Sequence, residues 1–408
     1  MVEDQLRGLT KALITRFVPT STETGKRSRR VSARRMAHET MMRREAGARV
    51  LFIGTLPPPV DGQTLATASI LDELRRRSPA CSVADTAKSA ERDWRQRLGR
   101  AARLTRALAI IPIARLRGAR SVYISALANA GMYHSALCAF IARAFGLKLL
   151  IHHEVASYLR SPALRMKVLA ACAGPTAIHV VLCEPMGADL KARYRNIHIV
   201  MALNNSFAVP DPRLIAKEHG PPLRLGHLSN LSLEKGLKRV IEVLEYLLER
   251  GIPATLTVAG PPASALEREL IARTSEDLPD RFFYLGRVTG EAKERFFAAI
   301  DVFLFPSLYP NEAQPIVCLE AMAAGVPVLA YDWSYLQATL GEGGGQLIDT
   351  KEVFAERALP ILRDWAEHPS CLAAASRSAR DRFVALRRES LARLDELVAL
   401  LVGGDRGQ

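Results

Sequence analysis

Short apolar runs recur along most of the chain, each followed by a longer stretch of mixed polarity. Arg49–Gly54 (RVLFIG), Ser121–Ala126 (SVYISA), Leu147–His152 (LKLLIH) and His179–Cys183 (HVVLC) are apolar almost throughout, as strands covered on both faces are. The stretches between them are long enough for helices, and this alternation predicts a parallel sheet. It breaks at Val209–Pro222, where four prolines and mixed charge predict a linker. It resumes with Leu223–Leu228 (LRLGHL), Ala254–Gly260 (ATLTVAG), Arg281–Gly286 (RFFYLG), Asp301–Phe305 (DVFLF), Val326–Ala330 and a QLID strand. Gly236–Arg250 has a good helical period, Thr350 onward reads as helix, and Phe383–Val402 reads as a long final helix. The chain therefore divides into a basic extension (1–48), a first α/β domain (49–208), a linker (209–222), a second α/β domain (223–375) and a C-terminal helix (376–408).

One stretch, Phe305–Asp332, carries the densest chemistry. A strand ends at Phe305, a polar turn runs to Gln314, and a helix begins at Pro315, placed at its first position. Gly325 ends that helix. Strand, loop and helix start together form a site for phosphate: the N–H groups of Ile316 and Val317 point out of the positive end of the helix. Glu312 precedes the helix and Glu320 lies on it, with seven residues between. Two carboxylates can accept hydrogen bonds from neighbouring hydroxyls, so the arrangement suits a diphosphate joined to two polyols, as in a nucleotide sugar. A cap and a solvated helix residue would look the same from spacing alone.

Composition sets bounds. At 408 residues the chain is too long for one ordinary core, and 49% hydrophobic with 24% charged residues is typical of soluble globular chains. The apolar run Ala107–Ala114 is far shorter than the roughly 20 residues a spanning helix needs, and the N-terminal region lacks the apolar core of a signal peptide. The six cysteines, Cys81, Cys138, Cys172, Cys183, Cys318 and Cys371, show no metal-ligand spacing and sit mostly in apolar segments, which points to a reduced, cytoplasmic setting. The net charge of +14 bears on partners rather than on fold. An Arg-rich composition with a basic tail accounts for it. Contact with an anionic membrane is the second reading, and nucleic acid is set aside. Lys26–Arg35 (KRSRRVSARR) cannot form a core, so residues 1–48 read as a disordered extension, with a membrane tether as the alternative. Trp94–Arg120 reads as a core helix with a solvated basic face, its alternative being a membrane-facing helix.

Other candidates lie at strand ends, where open α/β sheets bind ligands. The loop Thr55–Gly62 follows the first strand without a GxGxxG pattern, which argues against a nicotinamide cofactor. His152, His153 and Glu154 end another strand. The adjacent histidines have no third ligand at zinc spacing.

Glu312, seven residues, Glu320 and then Ala321–Val328 (AMAAGVPV) resemble the pattern of retaining GT-B glycosyltransferases of the family-four, or glycosyl transferases group 1, type. The resemblance covers about Arg49–Arg380 and is stronger in the second domain. It implies two Rossmann-like, doubly wound domains facing each other across a cleft. It also implies a metal-independent reaction in which a nucleotide-diphosphate sugar, a UDP-sugar for instance, is the donor. Lys235 and Gly236 match the family's Lys-Gly pair at the diphosphate, while Asn230 stands where an Arg is usual. An amide donates to phosphate without charge and so more weakly, and His227 and Arg287 are the nearby candidates to compensate. Glu320 corresponds to the residue on the ribose hydroxyls and Glu312 to the one on the transferred sugar; either His152 or His153 matches the sugar-contacting His, with His153 preferred. Gly62 matches the glycine of the first loop, and Asn204 or Asn205 the asparagine after the last strand of the first domain. Trp333–Leu340 departs from the family and receives no role.

Together with the cytoplasmic setting, the resemblance implies a retaining hexosyltransferase, with Glu312, His153 and Lys235 as its catalytic group. The acceptor would be a glycan or a lipid-linked molecule in surface polysaccharide or glycolipid synthesis. The enzyme would make peripheral contact with the membrane. The same fold also hosts epimerases, phosphorylases and non-catalytic nucleotide-sugar binders.

Overall fold

The computed structural model describes residues 49–58, 61–87, 94–210 and 219–403; the expected extension 1–48 and most of the linker lie outside the described residues. The first domain runs β1 (Arg49–Gly54), α1 (Gly62–Arg77), β2 (Ser82–Asp85), α2 (Trp94–Leu116), β3 (Ala119–Ser125), α3 (Gly131–Ala144), β4 (Lys148–His152), α4 (Ser157–Arg160), α5 (Leu164–Ala173), β5 (Ile178–Val181), α6 (Glu184–Arg193) and β6 (Ile199–Ala202). The second runs β7 (Leu223–Leu228), α7 (Leu237–Glu249), β8 (Ala254–Ala259), α8 (Ala265–Asp277), β9 (Phe282–Tyr284), α9 (Glu291–Ala299), β10 (Val302–Phe305), α10 (Ile316–Ala323), β11 (Val328–Tyr331), α11 (Leu336–Leu340), β12 (Gly345–Ile348) and α12 (Phe354–Glu367). A final helix, α13, spans Pro369–Val402. Strand β2, short and half-buried, has no counterpart in the apolar pattern.

The strand orders are β2-β1-β3-β4-β5-β6 and β12-β11-β10-β7-β8-β9, and all neighbours are parallel. Each sheet reverses direction once, between β1 and β3 in the first and between β7 and β10 in the second. A crevice opens beyond the strand ends at such a reversal. The two-residue period of a strand divides the first core: Leu51 and Ile53 face the layer of α2, α3 and α5, while Val50 and Phe52 face α1 and α13.

Helix α13 starts at Pro369, so the domain boundary expected at 375/376 falls inside one continuous helix. At about 1.5 Å per residue it is long enough to reach from one domain to the other. Near its start Arg380 donates to the Ala323 carbonyl at 2.6 Å, and Arg382 to the Ala338 carbonyl at 2.7 Å, both in the second domain. Near its end Asp395 pairs with Arg77, and the Leu401 carbonyl accepts from Ser121, both in the first. Trp333–Leu340 also ties the domains together. Tyr335 donates to Asp189 at 2.8 Å, and the Arg160 guanidinium lies 4.1 Å over the Trp333 ring.

Leu397 on α13 is fully buried in the cluster shared by the two domains. Leu397→Ala should lower the unfolding free energy by about 2–5 kcal/mol, read as a shift of the urea midpoint. A change below about 0.5 kcal/mol would show that this end of the helix is not part of the folded core.

Candidate active site

The ends of β1, β4, β7 and β10 converge on one interdomain cleft of about 340 Å³, within the range of small-molecule sites. Helix α10 begins at Ile316, one residue later than expected, because Pro315 is extended (φ −70°, ψ 118°) and serves as the cap. Ile316 and Val317 line the cleft at the head of the helix, where N–H groups have no carbonyl one turn back to bond. Facing them across the gap is Gly62, the first residue of α1: a Cβ there would lie 3.7 Å from the Ile316 side chain. The two helix starts thus stand on opposite walls, α1 capped by Asp61 through the Thr64 amide at 2.8 Å.

Glu312 is 8% exposed. Its Oε2 accepts from Lys235 Nζ at 2.5 Å and from Ser307 Oγ at 3.3 Å, while its carbonyl accepts from Ser334 Oγ at 2.7 Å. Lys235 Nζ also lies 4.6 Å over the Tyr309 ring. Glu320 pairs with Lys293 through Oε1. Its Oε2 is buried and has no hydrogen-bond partner among the described residues. Burial pushes the Glu320 carboxyl above its usual value, and Lys293 opposes that shift. An acceptor left in this condition costs stability until a donor arrives.

Most of the expected residues share this cleft: Gly62, Asn230, Lys235, Glu312, Ile316, Val317 and Glu320 all line it. Gly236 does not. Its φ is +96°, and a Cβ would lie 2.7 Å from the Pro306 carbonyl oxygen, so its role is to let the Lys235 turn close against the β10 loop. Gly260, which does line the cleft, likewise gives room by its missing Cβ, here to the Ser229 backbone.

His153 requires correction. Its ring is fully buried, with Nδ1 2.8 Å from the Tyr158 hydroxyl and Nε2 2.8 Å from His179 Nδ1. Both nitrogens are engaged inside the protein, so His153 has none left for a sugar. Burial lowers its pKa well below the ordinary value, and that of His179 to about 4. His152 is equally buried, bonded to Tyr123 at 2.7 Å, with its pKa lowered to about 3. The residue of this strand end that lines the cleft is their neighbour Glu154, whose side chain is 3% exposed. Its adjacency to the histidine pair was the only signal for it.

The cations have a similar history. His227 is buried and bonded to the Leu304 carbonyl and Ser229, away from the cleft. Arg287 does line the cleft, and so does Lys293 from α9, which no motif marked. The second-domain wall therefore holds Lys235, Arg287 and Lys293 beside Asn230, where the usual Arg is missing. The first-domain wall holds Asp61, Gln63, Glu154 and Asn205. The Asn205 amide donates to Gln314 at 2.6 Å across the domains, whereas Asn204 is turned to cap a short 3-10 turn. Among the described residues no group of three His, Cys, Asp or Glu could hold a metal ion, and no helix is long and apolar enough to cross a membrane.

The family model described as glycosyl transferases group 1 matches residues 216–379. The second domain is a group 1 glycosyltransferase domain. This domain contributes Asn230, Lys235, Glu312 and Glu320 to the cleft. The chain is 27% identical over 222 residues to 2-deoxystreptamine glucosyltransferase of Streptomyces kanamyceticus, covering 52% of this chain and 55% of that one. It is 31% identical over 118 residues to the amylovoran biosynthesis glycosyltransferase AmsK of Erwinia amylovora, covering 28% of each. The chain thus spans about half or less of the curated relatives it matches. The crystal structure of Anabaena HepE in complex with UDP-glucose superposes with a TM-score of 0.60 over 85% of this chain and 99% of that one, at 17% identity. At that identity the likeness shows the fold, which is GT-B: two parallel α/β domains with the group 1 glycosyltransferase domain second.

Burial holds the Glu154 carboxyl well above the usual carboxylate range; Asp61 adds to the shift and the Thr67 hydroxyl opposes it. The folded chain therefore keeps this proton at a pH where the unfolded chain has lost it. As pH rises from about 4.5, the ordinary value, Glu154 progressively destabilises the fold. Glu154→Gln should match the wild type in thermal melts below that pH and exceed it at neutral pH. Parallel melting curves across the whole range would refute this account.

Proposed function

We propose that the chain is a cytoplasmic, retaining glycosyltransferase. It moves a hexose from a nucleotide-diphosphate sugar to a glycan or lipid-linked acceptor in surface polysaccharide or glycolipid synthesis, in peripheral contact with an anionic membrane. The observation that carries this reading is the environment of Glu320. A buried carboxylate oxygen without a partner among the described residues shares one cleft with a helix N-terminus and three cations. A ribose hydroxyl satisfies the first and a diphosphate the second. The HepE complex with UDP-glucose supports a nucleotide sugar as donor and makes UDP-sugars the first to assay.

In this reading the diphosphate lies against the Ile316 and Val317 amides. Lys235, Arg287 and Lys293 supply positive charge, and Asn230 an uncharged donor. The reacting bond joins the anomeric carbon to the diphosphate oxygen. As it breaks, its electron pair goes to the diphosphate, and the fixed N–H groups and cations stabilise that charge. Glu320 accepts from the ribose. Glu312, held by Lys235 and Ser307, accepts from the sugar hydroxyls and positions the anomeric carbon; it is assigned no covalent role. The acceptor approaches from the first-domain wall, past Gly62, where Glu154 and Asn205 are its polar neighbours. Contact between the two walls excludes water that would otherwise hydrolyse the donor.

Glu320→Ala should raise the donor KM about tenfold or more, the loss of a charged acceptor, and leave kcat within a few-fold. Glu312→Ala should chiefly lower kcat. Near-normal kinetics in both variants would end the transferase assignment. Because cationic side chains and amides are proposed to meet the diphosphate, EDTA should leave the rate unchanged; loss of activity restored by a divalent cation would overturn that part.

A further inference from the structure

The outer layer of the first domain carries a surface that a solvated α/β protein has no need of. The exposed side of α3 presents Tyr133, Leu137 and Phe140, which are 47%, 45% and 56% exposed. They lie four and three residues apart, on one stripe of the helix, where polar side chains are the rule. Phe145 follows at the helix end, and Leu164 at the start of α5 is 69% exposed.

Helix α2 lies alongside α3. His134 bonds the Leu104 carbonyl at 2.9 Å and Arg115 donates to the Phe145 carbonyl at 3.1 Å. The equal offset of the two contacts makes the helices parallel neighbours. The end of α2 adds Ile113 and Leu116, the latter 86% exposed. Single exposed apolar residues are ordinary, but a stripe continued across neighbouring helices marks an interaction surface.

Charge identifies the partner. Between Asp93 and Glu184 the chain holds thirteen arginines and lysines and a single acidic residue, Glu154. That carboxylate is turned into the cleft, so it does not offset the exposed cations: Arg106 on α2, Lys167 on α5, and Arg117 and Arg120 just past the end of α2. A second copy of the chain would bring like charges together. Exposed apolar side chains on helices whose segment is basic and almost free of carboxylates fit the interface of an anionic bilayer.

We propose that the outer face of α2, α3 and α5 is the surface by which the first domain docks on an anionic lipid bilayer. Helices that follow parallel strands run back from the strand ends, so the Tyr133 end of α3 lies on the side of the cleft. Docking would hold the acceptor wall near the lipid surface. This assigns a place to the membrane contact proposed above, and it is tested without substrate, so failure of the transferase reading leaves it standing.

The test is flotation of the full chain with vesicles of phosphatidylcholine, with and without phosphatidylglycerol. The wild type should float only with the anionic vesicles, and less as salt is raised. Leu137→Glu with Phe140→Glu should abolish flotation, and Arg117→Glu with Arg120→Glu should weaken it more than about tenfold, since each arginine near such a surface contributes about fivefold. The thermal melting midpoint, a readout that needs no ligand, should stay at the wild-type value in both. Failure of the wild type to float would overturn the proposal. So would undiminished flotation of the Leu137/Phe140 variant, which would move the contact to the basic extension. A wild-type dimer that this variant makes monomeric would reassign the face to self-association. Binding to duplex DNA or RNA that the same variant loses would reassign it to nucleic acid.

Discussion

The ion pair between Lys235 and Glu312 is the interaction on which the cleft depends. Lys235 belongs to the turn after β7 and Glu312 to the loop after β10, so the pair joins the two strands that flank the sheet reversal. Its side chains are only 20% and 10% exposed. Pairing offsets the cost of taking each charge partly out of water. Gly236 makes the pair reachable: with no Cβ, the Lys235 turn closes against Pro306. The ammonium is then already beside the start of α10, where an anion would sit. Charge, backbone dipole and glycine geometry converge on one point.

The two walls of the cleft are held in a fixed relation by contacts at several heights. Gln314, next to the start of α10, accepts from the Asn205 amide of the first domain. Tyr335 and Trp333 reach Asp189 and Arg160. Helix α13 crosses from one core to the other. These contacts set the distance between a basic donor wall and a first-domain wall that carries Asp61 and Glu154. That difference between the walls matches the proposed reading, with a diphosphate on one side and hydroxyl groups on the other.

Much of this was legible in the chain. The apolar runs placed most strands within a residue or two because buried parallel strands must be apolar on both faces. The segment from Phe305 to Asp332 was readable in detail, since helix caps, strand ends and charge spacing are local. The failures were of another kind. His153 looked available because it ends a strand at the cleft, but Tyr158 and His179, distant in sequence, occupy both of its nitrogens. Lys293 carries no motif, and only the approach of α9 to α10 puts it on Glu320. Trp333–Leu340 departed from the family pattern and had no assigned role until its aromatic side chains were seen to meet the first domain. The final helix starts at Pro369, fourteen residues before Phe383; its first half is held through only a few buried residues, Leu372 and Ala379 among them, so it carries no clean apolar period.

The sequence by itself determined the parallel-sheet character of both halves, and the strand, loop and helix start that carry Glu312 and Glu320. Periodicity, propensity and caps act over a few residues, so they can be read from neighbours in the chain. Tertiary structure alone decided which polar atoms remain free to meet a ligand. A side chain's availability depends on every group that reaches it in space, and those groups come from elsewhere in the chain. Packing occupied both ring nitrogens of His153, and left one buried oxygen of Glu320 without a partner among the described residues.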